Sequence, residues 1–253
     1  MKGFNKTLTV LLFFLAIIII PVISLIFMPK ERNTFSENEN RYLAVFPKFN
    51  IENILNAGFT RGFEEWANDR IIGRESWVRL KNKTERLLGK TEINGVYIIG
   101  GRMMQVWSGY DITAVNRTLE AMNRFSDRHE SVPVYIMLAP TSQEIYASLL
   151  PRSAPAASQN EFITYCYEYL TNITPIDVLT PLANQASQYI YYRTDHHWTT
   201  LGAYFAYAAA APVLGFEPFG PEDFNIGEVS RSFMGSLYSK TLIEDVTPDI
   251  ISV

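Results

Sequence analysis

The sequence predicts an α/β protein built on a three-layer parallel sheet, and three observations carry that expectation. Residues 132–138 are apolar on both faces, as a central parallel strand must be. Strand and helix signals then alternate: a helix over 159–170, a strand over 173–178, a short helix from Pro181, a strand over 189–193 and an alanine-rich helix over 199–213. Residues able to do chemistry fall at the carboxyl ends of strands, Thr141 and Ser142 after one, Asp195, His196 and His197 after another. Sheets with right-handed crossovers gather functional groups along that edge.

The chain has 253 residues, enough for one sizeable domain with an appendage. Hydrophobic residues make up 47% and charged residues 19%, so most of the chain can bury a core and does not read as disordered. Net charge is −4 with no basic tract, which argues against nucleic acid as a partner. The single cysteine, Cys166, excludes an intrachain disulfide and a cysteine-based zinc cluster. Between Tyr165 and Tyr167 in an expected helix, it reads as a small buried apolar side chain.

Taken in order, the chain opens with residues 1–7, a short cytoplasmic N-terminus. Residues 8–28 carry no charge and cover about 30 Å of hydrocarbon at 1.5 Å per residue, enough for a transmembrane helix. Pro21 kinks such a helix without forbidding it. The run ends in Ile26-Phe27-Met28-Pro29 with no small-x-small cleavage site, which favours a retained anchor over a cleaved signal. Lys2 and Lys6 before it nearly balance Lys30, Arg32 and Arg41 after it, so charge leaves orientation open. The N-terminal position is that of a single-pass signal-anchor in the cell membrane, with the bulk of the chain extracytoplasmic.

Residues 29–50 read as a juxtamembrane linker broken by Pro29 and Pro47, with Phe35 and Tyr42 marking a segment that docks. Residues 51–71 have helical spacing at Ile54, Leu55, Phe59, Phe63 and Trp66. Residues 75–88 form a second helix offering Trp77, Leu80, Leu87 and Leu88 for burial. Together they are expected to form a helical cap over 51–90, leaving 91–253 as the α/β domain. There 95–99 is a strand closed by Gly100-Gly101, and 103–107 pairs with it as a hairpin. Ile112, Val115, Leu119 and Met122 mark one face of a helix ending near His129, a solvated helix-end residue. After Gly215 the chain is turn-rich, 233–240 reads as an ordered loop, and 249–253 as a strand just begun.

Two of the three histidines lie in Tyr191-Tyr192-Arg193-Thr194-Asp195-His196-His197-Trp198-Thr199. A histidine acting as general base needs a group that orients its ring and stabilises the imidazolium. Asp195, two residues before His197, can supply both. The base also needs a nucleophile, and serine is the obvious type. The sequence has no Gly-x-Ser-x-Gly elbow. Ser76 reads as a helix-start cap, and Ser142, Ser236 and Ser239 as turn or loop residues. Base and orienter are legible; their partner is not.

This stretch closely resembles the signature of the DHHW-motif proteins, which are similar to the alginate O-acetylation proteins of the SGNH-hydrolase-like superfamily. Ser36-Glu37-Asn38-Glu39-Asn40-Arg41, Asn94-Gly95-Val96-Tyr97-Ile98, Met137-Leu138-Ala139-Pro140-Thr141-Ser142 and Gly235-Ser236-Leu237-Tyr238-Ser239-Lys240 resemble further blocks. The resemblance implies an SGNH-hydrolase-like (flavodoxin-like) three-layer fold, with His197 as base, Asp195 as its orienter and His196 at a variable position. It also implies a serine nucleophile on a later strand. The sequence stops at Val253 before such a block, so the resemblance makes it C-terminally incomplete and unable to finish a catalytic cycle as given.

The leading reading is an extracytoplasmic, membrane-anchored O-acyltransferase or esterase acting on cell-surface or exported polysaccharide. The resemblance implies a membrane-bound O-acyltransferase partner that exports the acyl group. Arg193 then serves as a contact for an anionic glycan or as part of an ion pair. Tyr191, Tyr192, Trp198 and Tyr204 offer aromatic faces to sugar or pack in the core. A second reading takes Asp195, His196 and His197 as metal ligands of a phosphoesterase. One loop rarely supplies enough ligands, and no other His-rich or Asp-x-Asp cluster exists, so no metal and no cofactor is expected. A third reading is a non-catalytic surface scaffold or glycan-binding module, for which a missing nucleophile is the ordinary state.

Overall fold

The computed structural model describes residues 6–27, 34–36, 41–71 and 73–253, without the side chains of 7, 21 and 24–27. The chain forms two compact units, 1–85 and 86–253.

In the first unit, α1 (Lys6–Phe27) carries apolar side chains that are mostly exposed. Among the described residues, no helix is long and apolar enough to cross a membrane. The expected span over 8–28 is thus not supported as drawn. Met28 lies outside the described residues. β1 (Phe35–Ser36) and β2 (Arg41–Tyr42) form a short antiparallel ribbon. Of the Ser36-to-Arg41 block, residues 37–40 lie outside the described residues. Arg41 forks onto Asp69 at 2.9 and 2.6 Å, and the Ala44 amide adds a third bond at 2.7 Å. Burial acts to raise the Asp69 carboxyl, but these donors outweigh it and hold it below its usual range. The expected helix over 51–71 is two, α2 (Ile51–Leu55) and α3 (Gly58–Asp69), because Ala57 turns left-handed at φ 57° between them. Phe46, Phe59, Phe63 and Trp66 pack edge-on and tilted within this unit. α4 (Arg74–Leu87) exposes Trp77, Leu80 and Leu87, and Leu88 beyond it, contrary to the burial expected of them.

The second unit begins with β3 (Glu92–Ile93), β4 (Val96–Ile99) and β5 (Arg102–Gln105) in an antiparallel meander. Gly100 and Gly101 supply the positive φ of its second turn. α5 (Ile112–Arg128) starts on Asp111, whose Oδ1 accepts from the Thr113 and Ala114 amides. β6 (Val134–Met137) runs parallel to β7 (Ile173–Ile176), and α6 (Ser142–Ile145) and α7 (Gln159–Tyr169) lie between them in sequence. Parallel pairing among the described residues is limited to these two strands. The sequence expectation is that β6 buries both faces, but Tyr135 and Met137, which share one face of the strand, are exposed.

α8 (Leu179–Asn184) and α9 (Thr200–Val213) then close the core. Met104, Tyr146, Ile176, Val178, Leu182, Ile190, Tyr191, Ala206 and Ala210 form that core. The alanines let α9 approach closely. At Gly202 a Cβ would lie 2.3 Å from the Ile190 carbonyl oxygen, so glycine is required by contact there. The stretch expected as loop after Gly215 instead holds β8 (Glu228–Phe233) and α10 (Ser236–Thr241), and β9 (Asp249–Ser252) pairs antiparallel with β8.

Candidate active site

Residues 189–193 do not form the expected strand. Tyr191 bridges only Trp198, because the chain folds back on itself: Tyr192 N–H donates to His197 O at 3.2 Å and Thr199 N–H to Ile190 O at 2.9 Å. The closed loop is held from two sides. The Met103 amide on β5 donates to Arg193 O at 2.7 Å, and the Leu237 and Tyr238 amides on α10 donate to Thr194 O at 3.0 and 3.1 Å.

Asp195 lies at the tip of this loop, 5% exposed. Its Oδ1 accepts from the His197 amide at 2.9 Å and faces His197 Nδ1 at 2.6 Å. Its Oδ2 accepts from the Ser236 amide at 2.7 Å. Gly235 makes this possible, since a Cβ there would lie 2.4 Å from Asp195 Cβ. Burial alone would raise the Asp195 carboxyl, but bonds from the Ser236 and His197 amides and side chains lower it to about 2. A carboxylate so held stays ionised and fixes the proton of neutral His197 on Nδ1, leaving Nε2 as the acceptor. The His197 side chain is 66% exposed, so that nitrogen is open to a reactant.

His196 is arranged differently. Its Nδ1 lies 2.8 Å from Ser236 Oγ and 3.6 Å from Asp195 Oδ1, and its ring packs against His197 at 3.9 Å between centroids. The carboxylate thus orients His197 directly and His196 only weakly.

The other residues singled out in the sequence have structural partners. The Arg193 guanidinium covers the Tyr189 ring at 4.5 Å. Trp198 packs on the hydrophobic core. Thr141 exchanges two 2.8 Å bonds with the Gln159 side chain, through its amide and its Oγ1, and Ser142 is buried. The adjoining Pro140 carbonyl accepts from the Tyr191 hydroxyl at 2.5 Å. Sequence reasoning weighed Ser236 only as a loop serine and gave no role in the site to Gly235 or Asp249. A charged residue opening the apolar run Asp249-Ile250-Ile251 was the available signal for the last of these.

The liganding atoms of Asp195, His196 and His197 lie within 4.8 Å of one another, so together they can reach one cation. Both Nδ1 atoms and both Asp195 oxygens are already engaged by hydrogen bonds within the chain, and a closed site needs further ligands. This donor set fits a hydrogen-bonded acid–base pair better than a metal cage. Beside the loop's stem, a cavity of about 810 Å³ is lined mainly by apolar and aromatic groups, among them Tyr189, Tyr204, Tyr207, Phe219 and Phe224.

An α/β protein with a carboxylate-oriented imidazole on a closed loop is the class these features define. The sequence profile of the family described as DHHW protein matches residues 92–251, more than half of the chain. The chain belongs to the DHHW family. A DHHW family protein from Eubacterium siraeum is similar at 27% identity and a TM-score of 0.56, over 64% of this chain and 54% of that one. PatB1 of Bacillus cereus, solved also with a sulfonyl adduct, is similar at 17% identity and TM-scores of 0.52 and 0.53, over 62% of this chain and 55% and 57% of that one. The O-acetyltransferase domain of Pseudomonas putida AlgJ shows lower similarity, with a TM-score of 0.49 at 17% identity, over 62% of this chain and 63% of that one. The chain thus spans little more than half the length of the first two. No curated protein matches it.

Proposed function

We propose that this protein handles acyl esters on polysaccharide, with His197 as general base and Asp195 as the group that orients it. The single observation carrying this is the 2.6 Å contact between His197 Nδ1 and Asp195 Oδ1, with Nε2 left open. In the proposed reaction a serine hydroxyl passes its proton to His197 Nε2 as its oxygen attacks the acyl carbonyl. The imidazolium formed is stabilised by Asp195 and returns the proton to the leaving alcohol. A sugar hydroxyl or water then takes the acyl group. Ser236 is not taken as that serine, because its Oγ faces His196 Nδ1 at 2.8 Å and not His197. The β6–β7 pair is read as part of a larger SGNH-like three-layer sheet. The aromatic lining of the cavity supplies apolar faces of the kind sugar rings pack against. The proposal includes a membrane-bound O-acyltransferase as acyl source, and α1 as part of an anchor that keeps the site outside the cytoplasm.

The test is turnover of a chromogenic acetyl ester by the longest native form of the protein, with and without an oligosaccharide acceptor and with and without a chelator. Turnover that survives the chelator, with acetyl recovered on the sugar or as free acetate, is the expected result. Turnover abolished by the chelator and restored by a divalent ion would favour the metal reading. Glycan binding without any turnover would establish a binding module.

A further inference from the structure

We propose that Asp249 is a positioning residue that aims the Asp195–His197 pair, a role that rests on reading that pair as the reactive one. Asp249 is fully buried, and its two oxygens are shared out over the residues just before Asp195. Oδ1 accepts from the Tyr189 hydroxyl and, at 2.7 Å, from the Arg193 amide. Oδ2 accepts from the Thr194 amide at 2.8 Å and from Thr194 Oγ1 at 2.5 Å. Burial and the adjacent carboxylate push the Tyr189 phenol up, which keeps it a donor.

The reach of this carboxylate extends through Thr194. Its Oγ1 donates to Asp249 and accepts from the Gly235 amide at 2.9 Å. The next amide, that of Ser236, is the one that holds Asp195 Oδ2. One buried carboxylate therefore fixes both the loop stem that carries Asp195 and the turn that holds it from the other side. Four donors from three residues converge on this one buried side chain. Its place here is accounted for by the geometry it imposes, since small displacements of a base are costly to rate.

The experiment uses the longest native form of the protein, with Asp249→Asn, Thr194→Val, Thr194→Ser and His197→Ala. Two quantities are read: the far-downfield NMR proton of the His197–Asp195 hydrogen bond, assigned by its loss in His197→Ala, and kcat and KM for the chromogenic acetyl ester. Asp249→Asn is expected to remain folded by circular dichroism, to lose or shift that proton, and to lower kcat by about 100-fold with KM little changed. Should Asp249→Asn fail to fold, Thr194→Val interrupts the same chain at one donor and is expected to show both effects. Thr194→Ser keeps the hydroxyl and is expected to behave as the parent. A folded Asp249→Asn or Thr194→Val with the parent's proton resonance and kcat overturns the inference. Undiminished turnover in His197→Ala overturns the assignment of His197 as the base instead, while the resonance still reports whether Asp249 aims the pair.

Discussion

At the scale of single residues, the site is a question of which proton sits where. Asp195 is lowered on folding from 3.8 to about 2. A carboxyl lowered in the folded state stabilises the protein fully above about pH 4 and loses that contribution as pH falls toward 2. The contribution is about 2 kcal/mol. Urea unfolding of the parent and Asp195→Asn at several pH values checks this: the gap between them should narrow below pH 4, and a constant gap would contradict the lowered carboxyl. Ser236 tests a separate point. Ser236→Ala keeps the amide that holds Asp195 and removes the hydroxyl, which faces His196 and also supports Asp195, so kcat/KM for the acetyl ester should fall only modestly. A collapse of activity would make Ser236 the nucleophile. Asp195, His196 and His197 were legible because their chemistry is crowded into one short motif. Ser236 and Asp249 were not, because they reach the loop from 41 and 55 residues downstream of the groups they bind, and spacing carries no trace of such contacts.

At the scale of elements, α9 shows where propensity and packing disagree. Alanine is a better helix former than glycine by about 1 kcal/mol, so local reasoning favours Gly202→Ala. The structure reverses the sign, because the added Cβ would meet the Ile190 carbonyl and Trp198 Cβ at 2.3 and 2.9 Å. Destabilisation of about 1–3 kcal/mol is expected from overpacking, read as a lowered urea midpoint; a raised midpoint would contradict the packing described. Helix α5 was legible from the spacing of its apolar residues and α9 from its run of alanines; the caps that Asp111, Ser158 and Thr199 supply to α5, α7 and α9 are seen in the structure. The strand expected over 189–193 failed for an identifiable reason. Its apolar and aromatic residues do suit a strand, but the amides of Arg193 and Thr194 bond to the Asp249 carboxylate and not to a neighbouring strand. β8 and α10 went unread because Gly, Pro and Ser dominate the local signal there, and pairing with β9 overrides it.

At the scale of the whole molecule, the α/β class and the family were both legible, the first from alternating strand and helix signals and the second from the Asp-His-His-Trp block. The extent of the parallel sheet was not, because a run of apolar residues marks a strand without naming its neighbours. The proposed anchor is checked by fractionating cells that express the whole protein. Sedimentation with membranes that resists alkaline carbonate, and release when residues 1–28 are deleted, are expected; recovery of the parent in the carbonate-soluble fraction would contradict it. The central claim, that the DHHW loop is an acid–base pair of Asp195 and His197, is tested most directly by comparing the two histidines. The measurement is kcat/KM for acetyl-ester turnover in His197→Ala and His196→Ala, both confirmed as folded. His197→Ala should lose about 10²–10⁴-fold, the range of general-base catalysis, while His196→Ala loses far less. Equal losses in the two variants, or a larger loss in His196→Ala, would contradict the account.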